Sequence, residues 1–153
     1  MHEESAFSPA RSTLARQKNK QKPVDILLPE PLMEWADSTN VGPVVVLRSR
    51  HLGDQTIQDE LGVSLMAAFL RTIAGSPTAP RALLLYGSAV VLVLGDSPYL
   101  DLFRRLEQNG SEILCCQISF AAFTDEEAPA VGRLADWVDL TDRMEKAHHV
   151  LWP

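Results

Sequence analysis

A chain of 153 residues that is 46% hydrophobic and 22% charged is long enough to bury one core without disulfide or metal staples and too short for two ordinary domains; that composition excludes fibrous and wholly disordered classes. Its net charge of −6 excludes a general affinity for nucleic acid, which depends on clustered lysine and arginine displacing counterions from phosphate. No apolar run approaches the roughly 18 residues of a membrane span and no secretory signal pattern opens the chain, so a cytoplasmic protein without a membrane partner is expected.

Residues 1–40 read as a leader. Met1 to Lys22 is polar and spreads Arg11, Arg16, Lys18, Lys20 and Lys22 thinly, the pattern of a solvated, mobile segment more than of a nucleic-acid arm. Pro23 to Asn40 mixes Pro23, Pro29 and Pro31 with Ile26, Leu27, Leu28, Leu32, Met33 and Trp35, which suits an extended docked arm and disorder equally. Residues 41–153 are expected to form one domain.

The regular pattern begins at Gly42. Pro43 to Leu47 is a continuous apolar run, as in a strand buried on both faces of a parallel sheet. Ile57, Leu61, Leu65, Phe69 and Ile73 then recur every four residues, widened by Met66 and Leu70 and closed by Gly75, which predicts a helix. Arg81 to Tyr86 repeats the buried-strand signature, and Ala89 to Leu94 either extends the sheet or packs beside it. Ser97-Pro98 reads as a helix start burying Leu100, Phe103 and Leu106 before Gly110. Ile113 to Cys116 predicts a third strand. Trp137 to Leu140 and His149 to Trp152 predict two more, flanking a short helix from Asp142. The alternation implies an α/β fold on a mostly parallel sheet of about five strands.

In such a sheet, ligands gather beyond the carboxyl ends of the strands, where loops meet helix starts. Three loops are expected there: Arg48 to Gln55, Gly87 to Ala89, and Cys116 to Phe120. Cys115 and Cys116 are adjacent, with Cα atoms about 3.8 Å apart, too close for ordinary disulfide geometry. Cys116 ends its strand before polar Gln117 and Ser119, so a partly exposed sulfur near backbone amides is expected, a setting that stabilises a thiolate. Cys115 is expected only to pack. Gly53 and Asp54 precede the long helix; Asp54 or Thr56 caps it, or an anionic or thiol-bearing ligand lies over its start with Ser88 donating from the next loop. His51 shares that edge and serves Cys116 as a base only if the fold pairs them. Asp125, Glu126 and Glu127 behind Thr124 read as the capping box of a helix start. No phosphate-loop, dinucleotide, H-E-x-x-H or paired C-x-x-C motif is present, so no cofactor and no metal is expected.

Val45 to Leu52, the step Leu52-Gly53-Asp54, Glu60-Leu61-Gly62, Leu85 to Leu92, Ser97-Pro98, Glu112 to Cys116 and the closing Val150-Leu151-Trp152-Pro153 occur in this order. Together they resemble the carboxy-terminal DsrE-like domain of YedF-type selenium-metabolism proteins, over Gly42 to Pro153. The resemblance implies a three-layer α/β/α sandwich, homo-oligomers, and a sulfur relay in which a cysteine after the third main strand carries sulfur as a persulfide between protein partners. Cys116 occupies that place. Ser119 stands where such sequences commonly carry a second cysteine. Gly87-Ser88-Ala89-Val90-Val91-Leu92 keeps the serine of the usual N-S-G-V-K-L but neither its amide nor its lysine. The leader has no C-P-x-P sulfur-carrier motif, so any sulfur donor is expected to be another protein.

Three functions follow as expectations: a sulfur or selenium carrier using Cys116, with Gly53, Asp54, Ser88 and Ser119 around it; a noncatalytic binding module at the same loops; or an oligomeric scaffold or regulatory subunit using Trp35, Trp137 and Trp152 at interfaces.

Overall fold

Val44–Leu47 is four apolar residues, all buried, and a strand without a polar side needs a packed layer on each face. The computed structural model, which describes residues 42–53 and 59–153, supplies both. The elements are β1 (Val44–Leu47), α1 (Asp59–Ala74), β2 (Ala82–Leu85), a 3-10 helix (Gly87–Val93), α2 (Leu100–Gln108), β3 (Glu112–Cys116), α3 (Gln117–Phe123), β4 (Arg133–Ala135), α4 (Trp137–Glu145) and β5 (Val150–Leu151). The sheet has five strands in the order β4-β3-β2-β1-β5, and every pairing is parallel. The leader, Asp54, Thr56 and Ile57 lie outside the described residues.

The strand order decides where the helices go. From β1 to β4 the chain steps one way across the sheet, so right-handed crossovers keep α1, the 3-10 helix, α2 and α3 on one face. The step from β4 to β5 runs back across the whole sheet and puts α4 on the other. Packing agrees: α1 lies against α2, α3 against the 3-10 helix, and α4 against β3 and β4. Val45, Leu47, Leu83, Leu85, Ile113 and Cys115 share one core with Met66, Leu70, Phe103 and Leu106. By the two-residue period of a strand, Val44, Val46, Leu84, Leu114 and Cys116 face the α4 side, and all five are buried. Among the described residues no helix is long and apolar enough to cross a membrane.

Several elements differ from the sequence-based expectation. Trp137 to Leu140 is the first turn of α4, not a strand, because the Asp136 carboxylate accepts from Asp139 N at 2.9 Å and caps the free amides. Trp137, Leu140 and Met144 then fall at helical spacing. Thr124 starts no helix; it ends α3, and its Oγ1 accepts from Glu126 N at 3.1 Å in a local turn. Ala89 to Val93 belongs to the 3-10 helix. Ser97 holds a turn, accepting from Tyr99 N at 3.1 Å, and α2 begins at Leu100. On α1 the four-residue spacing is present one position later than expected: Gly62, Met66, Leu70 and Ala74 are buried, whereas Leu61 and Leu65 are 49% and 39% exposed.

At the opposite end of β3, Glu112 anchors α4 to the sheet. Arg143 donates through Nε to Glu112 Oε1 at 2.6 Å and through Nη2 to Oε2 at 3.0 Å, and Arg133 adds a longer contact to Oε2 at 3.5 Å. The Arg143 hydrogen bond holds the Glu112 carboxyl below its ordinary value, against the upward push of burial and with help from the charges of Arg143 and Arg133. A carboxyl depressed in the folded state stabilises fully above its unfolded pKa and loses that contribution as pH falls through the folded one. Glu112→Gln is therefore expected to destabilise the protein by about 1 kcal/mol at neutral pH, a modest figure for a partly exposed pair. Urea melts from pH 7 downward check this: the gap to wild type should hold to about pH 5 and close below the usual glutamate range.

Candidate functional site

Of the three loops expected at the carboxyl edge only the first is a loop: Gly87 to Ala89 begins the 3-10 helix and Gln117 to Phe120 belongs to α3, and the three segments are tied to one another by backbone donors. Tyr86 N donates to Leu47 O at 3.1 Å, Arg50 N to Ser88 Oγ at 3.1 Å, and Gly87 N to Ser119 Oγ at 2.8 Å. Ser88 and Ser119 thus join the Arg48 loop to the 3-10 helix and the 3-10 helix to α3. Gly87 makes the close approach to the Arg48 loop feasible: its φ is +61°, and a Cβ there would stand 2.6 Å from Arg48 O. Gly53 also has positive φ, 105°, on an exposed turn. Asp54 lies outside the described residues.

Cys116 ends β3 and is the N-cap of α3, but it is 1% exposed, so the expected partial exposure is absent. Its surroundings show why. Cys116 pairs in register with Ala135 of β4, and Cys115 with Leu85 of β2, which places Tyr86 beside Cys116 one step further along. Tyr86 has extended backbone, φ −143°, so after inward Leu85 its side chain turns to the α4 face. There it meets Trp137, the first residue of α4, edge-on with ring centroids 5.3 Å apart. Strands two apart in a sheet are separated by roughly 10 Å, so this pair, one ring from the end of β2 and one from beyond β4, bridges the end of β3. Cys115 lies on the other face, fully buried, and its thiol is pushed up to about 12, first by burial and then by Cys116. It is a core residue.

His51 belongs to neither cysteine. It lines a cleft of about 530 Å³ with Arg50, Asp59, Val63, Val91 and Tyr99, on the α1 and α2 side of the sheet, away from the face of Cys116. Its backbone is pressed onto α1, where Leu52 N donates to Gly62 O at 3.1 Å. A Cβ at Gly62 would stand 2.9 Å from Leu52 O and 3.0 Å from His51 Cβ. His51 Nε2 is 4.0 Å from Asp59 Oδ1, while Nδ1 is buried with no hydrogen-bond partner. Among the described residues no group of three or more His, Cys, Asp or Glu side chains is placed to hold a metal ion.

No protein-family model and no curated protein matches the sequence. Solved structures match the fold, two of them as follows. MTH1491 of Methanobacterium thermoautotrophicum, a protein of unknown function, is 18% identical over 72% of this chain and 96% of its own, with a TM-score of 0.50. The ychN protein of E. coli is 17% identical over 73% of this chain and 98% of its own, also at 0.50. The fold is DsrE-like. Identities this low carry the architecture alone.

Within this fold, the sequence-expected residues separate into groups. Cys116, Ser88 and Ser119 come to one edge, the serines as ties between its segments and the cysteine at the end of β3. The cleft around His51 was not anticipated as a unit, because Val63, Val91 and Tyr99 are ordinary core types at helical or strand-like spacing. Its sequence signal was Gly62, a glycine inside a strong helix, which marks a close backbone approach.

Proposed function

We propose that this domain carries sulfur or selenium as a persulfide-type adduct on Cys116, received from a donor protein and passed to an acceptor protein. The observation that supports this most is the position of Cys116: at the end of β3, on the loop-bearing edge, under a bridge whose outer ring, Trp137, is 41% exposed. A closed bridge keeps water and oxidants from a reactive adduct, and an opened one admits a partner. In the loading step the Cys116 thiolate bonds to the outer sulfur of a donor persulfide as the donor's S–S bond breaks, and the donor leaves as a thiolate. Electrons balance without an external oxidant, and transfer to the acceptor repeats the exchange. Gly53, Asp54, Ser88 and Ser119 form the surrounding loop set in this reading, with the two serine hydroxyl hydrogens still able to donate to a bound anion.

The test is intact-mass measurement after reduced protein meets a persulfide donor. Wild type and Cys115→Ser are expected to gain the mass of one sulfur atom, and Cys116→Ser to gain none. No adduct under conditions that label an authentic persulfide carrier would leave a DsrE-like binding module or homo-oligomeric scaffold. The exposed apolar side chains of Leu61, Ile118, Phe123 and Val138 favour that second reading.

A further inference from the structure

A protein that hands sulfur to Cys116 must seat itself over the end of β3, so the surface around that point carries information about the donor. Ile118 lies two residues beyond Cys116, in the first turn of α3. Trp137 and Val138 open α4, two and three residues beyond Ala135, which pairs in register with Cys116. Three residues of chain and one interstrand step reach at most roughly 16 Å. All three positions therefore fall within the footprint of about 800 Å² that each partner covers in a standard protein contact. Ile118, Trp137 and Val138 are 66%, 41% and 76% exposed, apolar surface that a seated partner would remove from water.

The charge of the same region is one-sided. Gln117 to Lys146 holds seven acidic and three basic side chains. Arg133, Arg143 and Lys146 are all engaged, with Glu112, Asp139 and Asp142. Asp125, Glu126, Glu127 and Glu145 have no cation partner among the described residues. Glu145 shares a groove along the outer side of α4 with Trp137, Val138 and Thr141. The same face of a second copy would set carboxylates against carboxylates, and like charges across an interface cost affinity; the complementary occupant is apolar and basic. We infer, on the strength of the carrier reading, that the sulfur donor docks on Ile118, Trp137 and Val138 through an apolar loop flanked by lysine or arginine, with its cations in the field of Glu145 and the acidic run at 125–127.

Fluorescence anisotropy of the full chain with a labelled Lys-Leu-Ser-Leu-Lys peptide and its Glu-Leu-Ser-Leu-Glu twin tests this; serine stands in for the donor cysteine, so no sulfur moves. The lysine peptide is expected to saturate and the glutamate twin to bind at least about tenfold more weakly, a gap of about 1.4 kcal/mol that narrows as salt is raised. Val138→Lys, at an exposed position, should weaken the lysine peptide at least about fivefold. Leu65→Lys, at a 39% exposed position on α1, adds the same charge away from the surface and should leave binding unchanged. No saturation, equal affinity for the twins, or equal loss in the two variants would each overturn the assignment. So would a wild-type oligomer that Val138→Lys dissociates in light scattering, since the surface would then belong to a second copy. The carrier reading is tested apart from the surface with free cysteine persulfide, from which Cys116 takes the outer sulfur as cysteine thiolate leaves. Loading of Cys116 without peptide binding would remove the docking surface and keep the carrier, and peptide binding without loading would keep the surface and remove the carrier.

Discussion

Gly87→Ala is expected to destabilise the protein by about 2–4 kcal/mol, a large effect for one methyl group at a loop residue. Two causes add. At φ +61° a side chain brings steric strain of roughly 1–2 kcal/mol, and the new Cβ would stand 2.6 Å from Arg48 O, a backbone atom that cannot swing aside like a side chain. The loops must then separate, which weakens the 2.8 Å bond from Gly87 N to Ser119 Oγ and the join at Ser88. Denaturant unfolding measures the effect, and Ser119→Ala, which removes the bond without the clash, should lose only about 1 kcal/mol. Equal losses in the two variants would mean that the hydrogen bond, and not the close approach, holds the edge together.

The sheet was legible because its strands are buried on both faces. Val44 to Leu47, Ala82 to Leu85 and Ile113 to Cys116 are short runs apolar at every position, as strands buried on both faces are, and the glycines at 75 and 110 marked where helices stop. Shorter elements were less legible for a physical reason. β4 has three residues, one of them Arg133, so its signal was weaker than that of the Trp-Val-Asp-Leu run just after it, which reads as a strand until Asp136 is recognised as a cap. Thr124 shows the converse error: its hydroxyl makes a local turn with Glu126 N, a bond that competes with the helix start its sequence suggested.

The candidate site was legible in topology and not in accessibility. That the Arg48, Gly87 and Cys116 segments share an edge follows from parallel strands alone, whereas the turn of the second and third into helices does not. Cys116 is enclosed where α4 packs on β3 and β4, and Trp137, which lies 21 positions along the chain and was assigned to a strand, reaches Tyr86 as the first residue of α4. The side a cysteine faces is likewise a matter of register. One step in β3 separates Cys115, in the α1 and α2 core, from Cys116 on the other face, and the sequence Leu-Cys-Cys-Gln does not say which residue points where.

Trp137→Ala is expected to raise the rate of Cys116 alkylation by iodoacetamide about tenfold while leaving Cys115 unreactive. Tenfold corresponds to about 1.4 kcal/mol, close to the 0.5–1.5 kcal/mol that an aromatic pair contributes beyond its buried area. The substitution removes one half of the bridge and leaves β3 and α3 untouched, and because Trp137 is already 41% exposed the fold should lose little. Cys115 is the internal control: with no exposure and a thiol pushed up to about 12, it reacts only when the domain unfolds, so labelling of both cysteines at matched rates would report global instability instead of an opened bridge. Peptide-resolved mass spectrometry separates the two. A Cys116 rate unchanged in Trp137→Ala would show that the barrier lies elsewhere, in the burial of Cys116 against β4 and α4, and a partner protein would then have to move α4 itself to reach the sulfur.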